Sequence, residues 1–318
     1  MVKIYYCLLI STFLLAPLAL GEQGFQKSWD QEDKSGFSAT DVKFLADKHV
    51  IFIAGVMNEL TDFINNYFPD NMKAAQRFGA TYSYIGPSSA LSIPDNAALL
   101  YQSIKKIAEK VQKPIILVGH SKGGAEILHL LLEHPDLILN GSIDRALLIQ
   151  PAIGGSAIAD NASGLFYSVV ALLFEPNMNT LSTTQAQVTF NKAFELYRAQ
   201  LKVLAKKINY KESSIHEHIS SRIFYVRSRT TSEISFGLKL VLGVMQDSAD
   251  RYCTEHDGLL SVEAQLDKRI GIDLGVVDAD HIDLTVSKVS NMSKARREAF
   301  TRAAFKSMYD KPAYSIFF

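Results

Sequence analysis

Gly119-His120-Ser121-Lys122-Gly123 is a Gly-x-Ser-x-Gly pentad. A serine hydroxyl becomes a useful nucleophile only when it is held exposed beside a base and close to donors that receive negative charge. The neighbouring residues supply that setting. Ile115-Ile116-Leu117-Val118 is continuously apolar and largely β-branched, the pattern of a strand covered on both faces. Pro114 opens the run, where a missing backbone N–H costs least. After the pentad, Ala125, Ile127, Leu128, Leu131 and Leu132 recur at helical spacing. The pentad therefore sits on a strand-to-helix turn, the context that gives it chemical meaning. Gly119 and Gly123 flank Ser121 because so tight a turn leaves no room for β-carbons. The helix N-terminus behind the serine offers amides and a positive dipole end to a developing oxyanion. The chemistry this favours is acyl transfer through Ser121.

Such a serine needs a base to take its proton and a carboxylate to orient the base. On an elbow of this kind the chain order is serine, then acid, then histidine. That order prunes the eight histidines. Seven precede or abut the best acid, Asp257, and His281 alone follows it. His281 comes after a strand candidate and a short loop, Asp278-Ala279-Asp280, at the end of a sheet where ligands collect. Asp257 lies in His256-Asp257-Gly258-Leu259-Leu260, where Gly258 allows a sharp turn that aims the carboxylate inward. Glu255, Asp278 and Asp280 are substitutes for it, and helix capping is the competing role for Asp257. The competing role for His281 is a satisfied surface histidine. Two backbone amides complete the site: that of Lys122, and that of Val56 in the loop Gly55-Val56-Met57-Asn58. The Lys122 side chain is expected to point to solvent.

These residues need a scaffold. His49–Ala54, Ala80–Ile85, Ile143–Ile149, Arg222–Arg227 and a weaker Ile270–Val277 read as further strands. Helical patterns separate them, one through Leu60, Phe63, Ile64 and Phe68, another over Asn96–Val111. Strands alternating with helices of this length predict parallel βαβ units in a single doubly covered sheet. Glu22 to about Ala46 is polar and reads as a surface arm. A cap or lid insertion is expected at about 156–209. Within it, Gly164–Phe174 is apolar almost all round but too short to span a bilayer, and Lys192–Ile208 carries a packing stripe. The apolar end Tyr314–Phe318 reads as a packed tail or a contact surface.

The 318 residues carry 33 basic and 33 acidic side chains, so nothing favours nucleic acid as a partner. Lys3 followed by the mostly apolar Ile4–Leu20, with small residues at Ala19 and Gly21, reads as a secretory signal peptide cut near Gly21–Glu22. A retained N-terminal anchor is the alternative. Residues 22–318 then form one catalytic domain, secreted or periplasmic. Cys253 is the one cysteine of that mature chain, which excludes an internal disulfide and a zinc framework.

With these blocks in order, the chain resembles α/β-hydrolases and is similar to the secreted bacterial triacylglycerol lipases. The resemblance rests on Phe52-Ile53-Ala54-Gly55, Gly119–Gly124, Gln150–Asp160, Asp257-Gly258-Leu259-Leu260 and Asp280–Leu284, across about residues 48–285. It implies an α/β-hydrolase fold, with a mostly parallel central sheet, helices on both faces and an inserted helical lid. It further implies a Ser121–Asp257–His281 triad and hydrolysis of carboxylic esters of lipids at a lipid interface, with no cofactor required. A phospholipase, a lipid acyltransferase or a soluble-ester esterase would use the same machinery, and a non-catalytic hydrolase-like binding protein is a further alternative. Two features depart from the pattern. Ala54-Gly55 stands where those lipases usually carry His-Gly. They also often bind a structural calcium, and Asp283 occupies the place of one ligand without a convincing second aspartate upstream of Asp257.

Overall fold

A computed structural model of the chain describes residues 16–56, 58, 67–161, 178–231, 233–235 and 255–311. Among the described residues the apolar runs form six strands: β1 (His49–Ile53), β2 (Thr81–Ile85), β3 (Ile115–His120), β4 (Ile143–Ile149), β5 (Ile223–Arg229) and β6 (Ile272–Asp278). They make one sheet in the order β2-β1-β3-β4-β5-β6, with every pairing parallel. The helices are α1 (Ala16–Ser35), α2 (Pro69–Arg77), α3 (Ile93–Val111), α4 (Lys122–Glu133), α5 (Asp136–Leu139), α6 (Ala157–Asn161), α7 (Thr183–Ile208), α8 (Glu212–Ser220) and α9 (Lys294–Asp310).

Because side chains alternate across a strand, the continuous apolar runs serve two cores at once. Ile51, Ile53, Ile115, Leu117, Ala146, Leu148, Ile223 and Tyr225 pack with residues of α3, α4, α7 and α8 on one face. Val50, Phe52, Ile116, Val118, Leu147, Ile149, Phe224 and Val226 pack with residues of α1, α2 and α9 on the other. The chain leaves β1 outward to β2 and then returns to β3 on the other side of β1. The crevice at that reversal, beyond the carboxyl ends of β1 and β3, is where an open α/β sheet collects ligands.

Several expectations are corrected. The stretch from Glu22 is not a surface arm. It continues α1, whose Phe25 and Trp29 are buried. Two apolar residues four apart form too narrow a stripe to stand out among the polar side chains around them. α3 starts three residues before the predicted Asn96, because the Ser92 hydroxyl accepts the Asp95 amide and Pro94 lies in the first turn. The packing stripe expected over Lys192–Ile208 is not among the corrections: it lies on α7, where Phe194, Tyr197 and Leu201, with Phe190, join the core that contains α4. Most of the expected signal peptide, the Leu60–Ile64 helix, Gly164–Phe174, Cys253 and Tyr314–Phe318 lie outside the described residues. No helix among the described residues is long and apolar enough to cross a membrane.

Candidate active site

Ser121 stands between β3 and α4 with φ 55° and ψ −125°, a conformation that L-residues adopt only when the surroundings enforce it. Those surroundings are mostly backbone. The Ser121 amide donates to the Ile149 carbonyl at 3.1 Å, and its own carbonyl accepts from the Ala125 and Ala152 amides, each at 3.1 Å. Gly123 lets α4 start directly against β1. A β-carbon there would press into the Ala54 carbonyl oxygen and stand 2.7 Å from that of Ile53.

The three side chains selected by chain order meet. His281 Nε2 lies 2.9 Å from Ser121 Oγ, and His281 Nδ1 lies 2.8 Å from Asp257 Oδ2. Asp257 Oδ1 accepts the Leu259 and Leu260 amides at 3.0 and 2.8 Å, and the Asp257 carbonyl accepts the His281 amide at 2.8 Å. Asp257 is fully buried, with Ser121 and His281 each 3% exposed. A carboxylate held by two amides and bonded to the imidazole keeps the ring in one orientation. The substitutes for Asp257 are engaged elsewhere. Glu255 pairs with Arg229, Asp278 accepts from Thr231, and Asp280 accepts the Ser235, Ile282 and Asp283 amides. Burial, followed by the neighbouring Asp283 charge, raises the Asp280 carboxyl above its usual range.

Lys122 is the first residue of α4, where amides point out of the helix end. Gly55 backs directly on the serine, since a β-carbon on it would lie 2.9 Å from Ser121 Cβ. Val56 follows Gly55 on the same loop. The Lys122 side chain is a correction. It is 2% exposed, and its ammonium donates to the carbonyls of Ser88 at 3.0 Å and Leu91 at 2.7 Å, 3.5 Å from Glu126. The helix turns it inward against the loop after β2, which an isolated sequence of polar and apolar residues does not reveal.

Sequence reasoning missed the polar residues beneath these three. His120 is only a variable position in the pentad pattern, yet it is 1% exposed. Its Nδ1 lies 2.5 Å from Tyr67 Oη, and its Nε2 lies 2.7 Å from the His281 carbonyl and 3.2 Å from Gln150 Oε1. Gln150 is in sequence no more than a strand end. It has φ 47°, and its amide donates to Ser228 Oγ and, at 2.8 Å, to the Asp280 carbonyl. The Gln-Pro step closing an apolar strand is the one sequence signal that marks this position.

The residues at Asp283 do not fit a calcium site. Its carboxylate oxygens accept from the Ser290 hydroxyl at 2.7 Å, the Asn291 amide at 3.0 Å and the Asp280 amide at 3.1 Å. Hydrogen-bond donors directed at both oxygens occupy the directions from which a cation would be held. Among the described residues no cluster of three or more His, Cys, Asp or Glu forms a metal site.

The parallel sheet, the covering helices and the serine elbow at the sheet's reversal define an α/β-hydrolase fold. Solved structures with the same fold include a metagenomic carboxyl esterase, MGS0156, at 19% identity and TM-score 0.61, over 87% of this chain and 80% of that one. The mature form of the Bacillus licheniformis lipase BlEst2 matches at 17% identity and TM-score 0.58, over 83% of this chain and 92% of that one. No protein-family model matches the chain, and no curated protein matches it either.

Proposed function

We propose that the chain is a secreted serine hydrolase that cleaves carboxylic esters of lipids. The observation that carries the proposal is the unbroken hydrogen-bond path from Asp257 through His281 to Ser121. In this reading Ser121 Oγ attacks the acyl carbonyl while His281 Nε2 takes its proton, and Asp257 stabilises the resulting imidazolium. The amides of Val56 and Lys122 receive the oxyanion. His281 then protonates the departing alcohol, leaving an acyl ester on Ser121. Water, deprotonated by His281, attacks that ester, and the carboxylic acid leaves as the proton returns to Ser121.

An acyl substrate is favoured by the apolar residues grouped at the ends of the site loops. Ala152, Leu181 and Leu260 pack together, with Val56, Ala159 and Leu259 half-buried against them. Those residues come from the oxyanion loop, the segment after β4, the expected lid and the acid loop, so the loops around the site are rich in carbon. The carboxyl esterase and lipase among the structural neighbours accord with this substrate class.

The test is turnover of a chain-length series of nitrophenyl esters, with and without detergent, alongside fluorophosphonate labelling. Long-chain preference at an interface is expected, with covalent label on Ser121. Ser121→Ala should lower kcat by at least ~1,000-fold with the melting temperature unchanged. Full turnover by that variant rules out the mechanism, and a native chain that neither labels nor turns over is a binding protein. The N-terminal residue of the exported chain should be Glu22. Recovery of an intact Met1 would replace the signal peptide with an anchor.

A further inference from the structure

The buried polar atoms under Ser121 form one continuous path between the two halves of the site. The Gly55 amide donates to Tyr67 Oη at 2.9 Å. Tyr67 Oη and His120 Nδ1 are 2.5 Å apart, and His120 Nε2 is 2.7 Å from the His281 carbonyl oxygen. Tyr67 is 6% exposed and His120 1% exposed. At one end of this path is the loop that presents the Val56 amide, and at the other is the main chain of the base.

Donor and acceptor chemistry gives the path a single direction. A carbonyl oxygen only accepts, so His120 Nε2 carries the imidazole proton and Nδ1 is the acceptor. Tyr67 must then give its hydroxyl proton to His120, leaving its oxygen to accept from Gly55. A second proton on His120 would set two donors against each other. Burial, and then the nearby His281, hold the His120 imidazole well below its ordinary 6.5. The tyrosine is itself anchored beside the base loop. Residue 67 pairs with Val286 as an antiparallel bridge, and the Phe68 amide donates to the Thr285 carbonyl at 2.7 Å.

We infer that Tyr67 and His120 are positioning residues that fix the Val56 amide relative to the His281 backbone. The inference rests on the ester-hydrolase reading above and assigns the pair a part in that reaction. In place of the His-Gly step common in similar lipases, this chain holds the oxyanion loop from below, through a hydroxyl on Gly55. An oxyanion donor displaced by a few tenths of an ångström loses much of its transition-state contact while substrate binding is little changed.

The experiment compares Tyr67→Phe, His120→Leu and the double variant in the full chain, with kcat and KM on a soluble nitrophenyl ester and a melting curve for each. Tyr67→Phe removes one oxygen and nothing from the core. It should lower kcat by about 10-fold or more with KM within about twofold. The double variant should lose no more than the worse single, because either change breaks the same path. A lower melting temperature with unchanged kcat makes the pair merely structural and overturns the inference, as do independent, multiplying losses. Amide exchange at Gly55 reads the tie without turnover. Tyr67→Phe should speed it at least ~10-fold, and unchanged exchange overturns the inference even if the native chain hydrolyses no ester. A native chain that is inactive, with the faster exchange still seen in Tyr67→Phe, indicts the hydrolase reading and leaves the tie standing.

Discussion

Glu126 is the residue whose burial most exceeds what its chemistry favours. It is fully buried on α4 one turn beyond Lys122, accepts the Asn96 side-chain amide at 2.6 Å, and leaves its second oxygen without a hydrogen bond. Burial pushes its carboxyl up to about 7, against the opposing pull of the Lys122 ammonium. An unfolded chain releases this proton near the ordinary 4.5, so between these values the native state holds more protons than the unfolded state. Native stability from this group is therefore greatest at low pH and falls as pH rises toward about 7. Glu126→Gln cannot titrate. Its melting temperature, relative to that of the native chain, should climb between about pH 5 and about pH 8. A difference that stays flat across that range would remove the buried-proton account. Lys122 belongs to the same unit. Its ammonium holds the loop carbonyls of Ser88 and Leu91, and Asn58 joins that loop to the one after β1 through the Gly55 and Pro87 carbonyls. Lys122→Met keeps the side-chain length but takes the ammonium from the Leu91 carbonyl and leaves the Ser88 carbonyl with Asn96 alone, which should cost about 1–3 kcal/mol in denaturant unfolding. A loss of under ~0.5 kcal/mol would mean the clamp is idle.

The strand–turn–helix unit is the element on which the site depends, and its tolerance is set by backbone contact. Gly123→Ala drives a methyl group into the carbonyls of Ala54 and Ile53, at the end of the strand that leads to Gly55 and Val56. The expected loss is about 1–3 kcal/mol, with a parallel fall in kcat because β1 and α4 must separate. Gly24 gives the contrast. It lies within α1, and a β-carbon added there would meet nothing within 4 Å, so Gly24→Ala should stabilise the chain by about 0.5–1 kcal/mol without touching turnover. Equal effects at the two glycines would mean that helix propensity, not contact, governs the elbow. β6 shows the other way an element is held. It is the last strand of the sheet, and its Asp278 amide donates to Gln26 on α1 at 3.2 Å, so α1 occupies part of an edge that would otherwise invite pairing with another chain.

Across the whole molecule, the start and end of the described chain close on each other. Trp29 is fully buried, its ring packs edge-on against Phe300 at 5.5 Å, and its indole N–H donates to the Arg296 carbonyl at 2.9 Å. The charges are complementary. Arg296 reaches Asp33 at 3.1 Å and lies 4.0 Å over the Trp29 ring, while Lys306 meets Glu32 at 2.8 Å and Asp41 at 3.0 Å. The ion pairs are partly solvated and contribute little each, so the buried rings dominate. Trp29→Ala should cost about 3–5 kcal/mol in denaturant unfolding, while ester turnover well below the melting temperature stays near native. A loss of turnover with little loss of stability would give α1 a role at the site itself. A cut at Gly21–Glu22 leaves Phe25 and Trp29 in the mature chain, so the proposed processing is compatible with this docking.

The sequence alone determined the parallel sheet, because runs such as Ile115–Val118 are apolar at every position and only a strand between two helical layers buries both faces. It also determined the elbow, since Gly-x-Ser-x-Gly between such a run and a helical pattern admits one backbone path. Chain order selected Asp257 and His281, but order carries no distance. That they stand within hydrogen-bond reach of each other and of Ser121 is decided by loops whose courses depend on packing far away in sequence. The same limit hid Tyr67, His120, Gln150 and the inward Lys122. A polar residue looks identical in sequence whether water or a buried carbonyl satisfies it, and only the tertiary structure says which partner replaces the water.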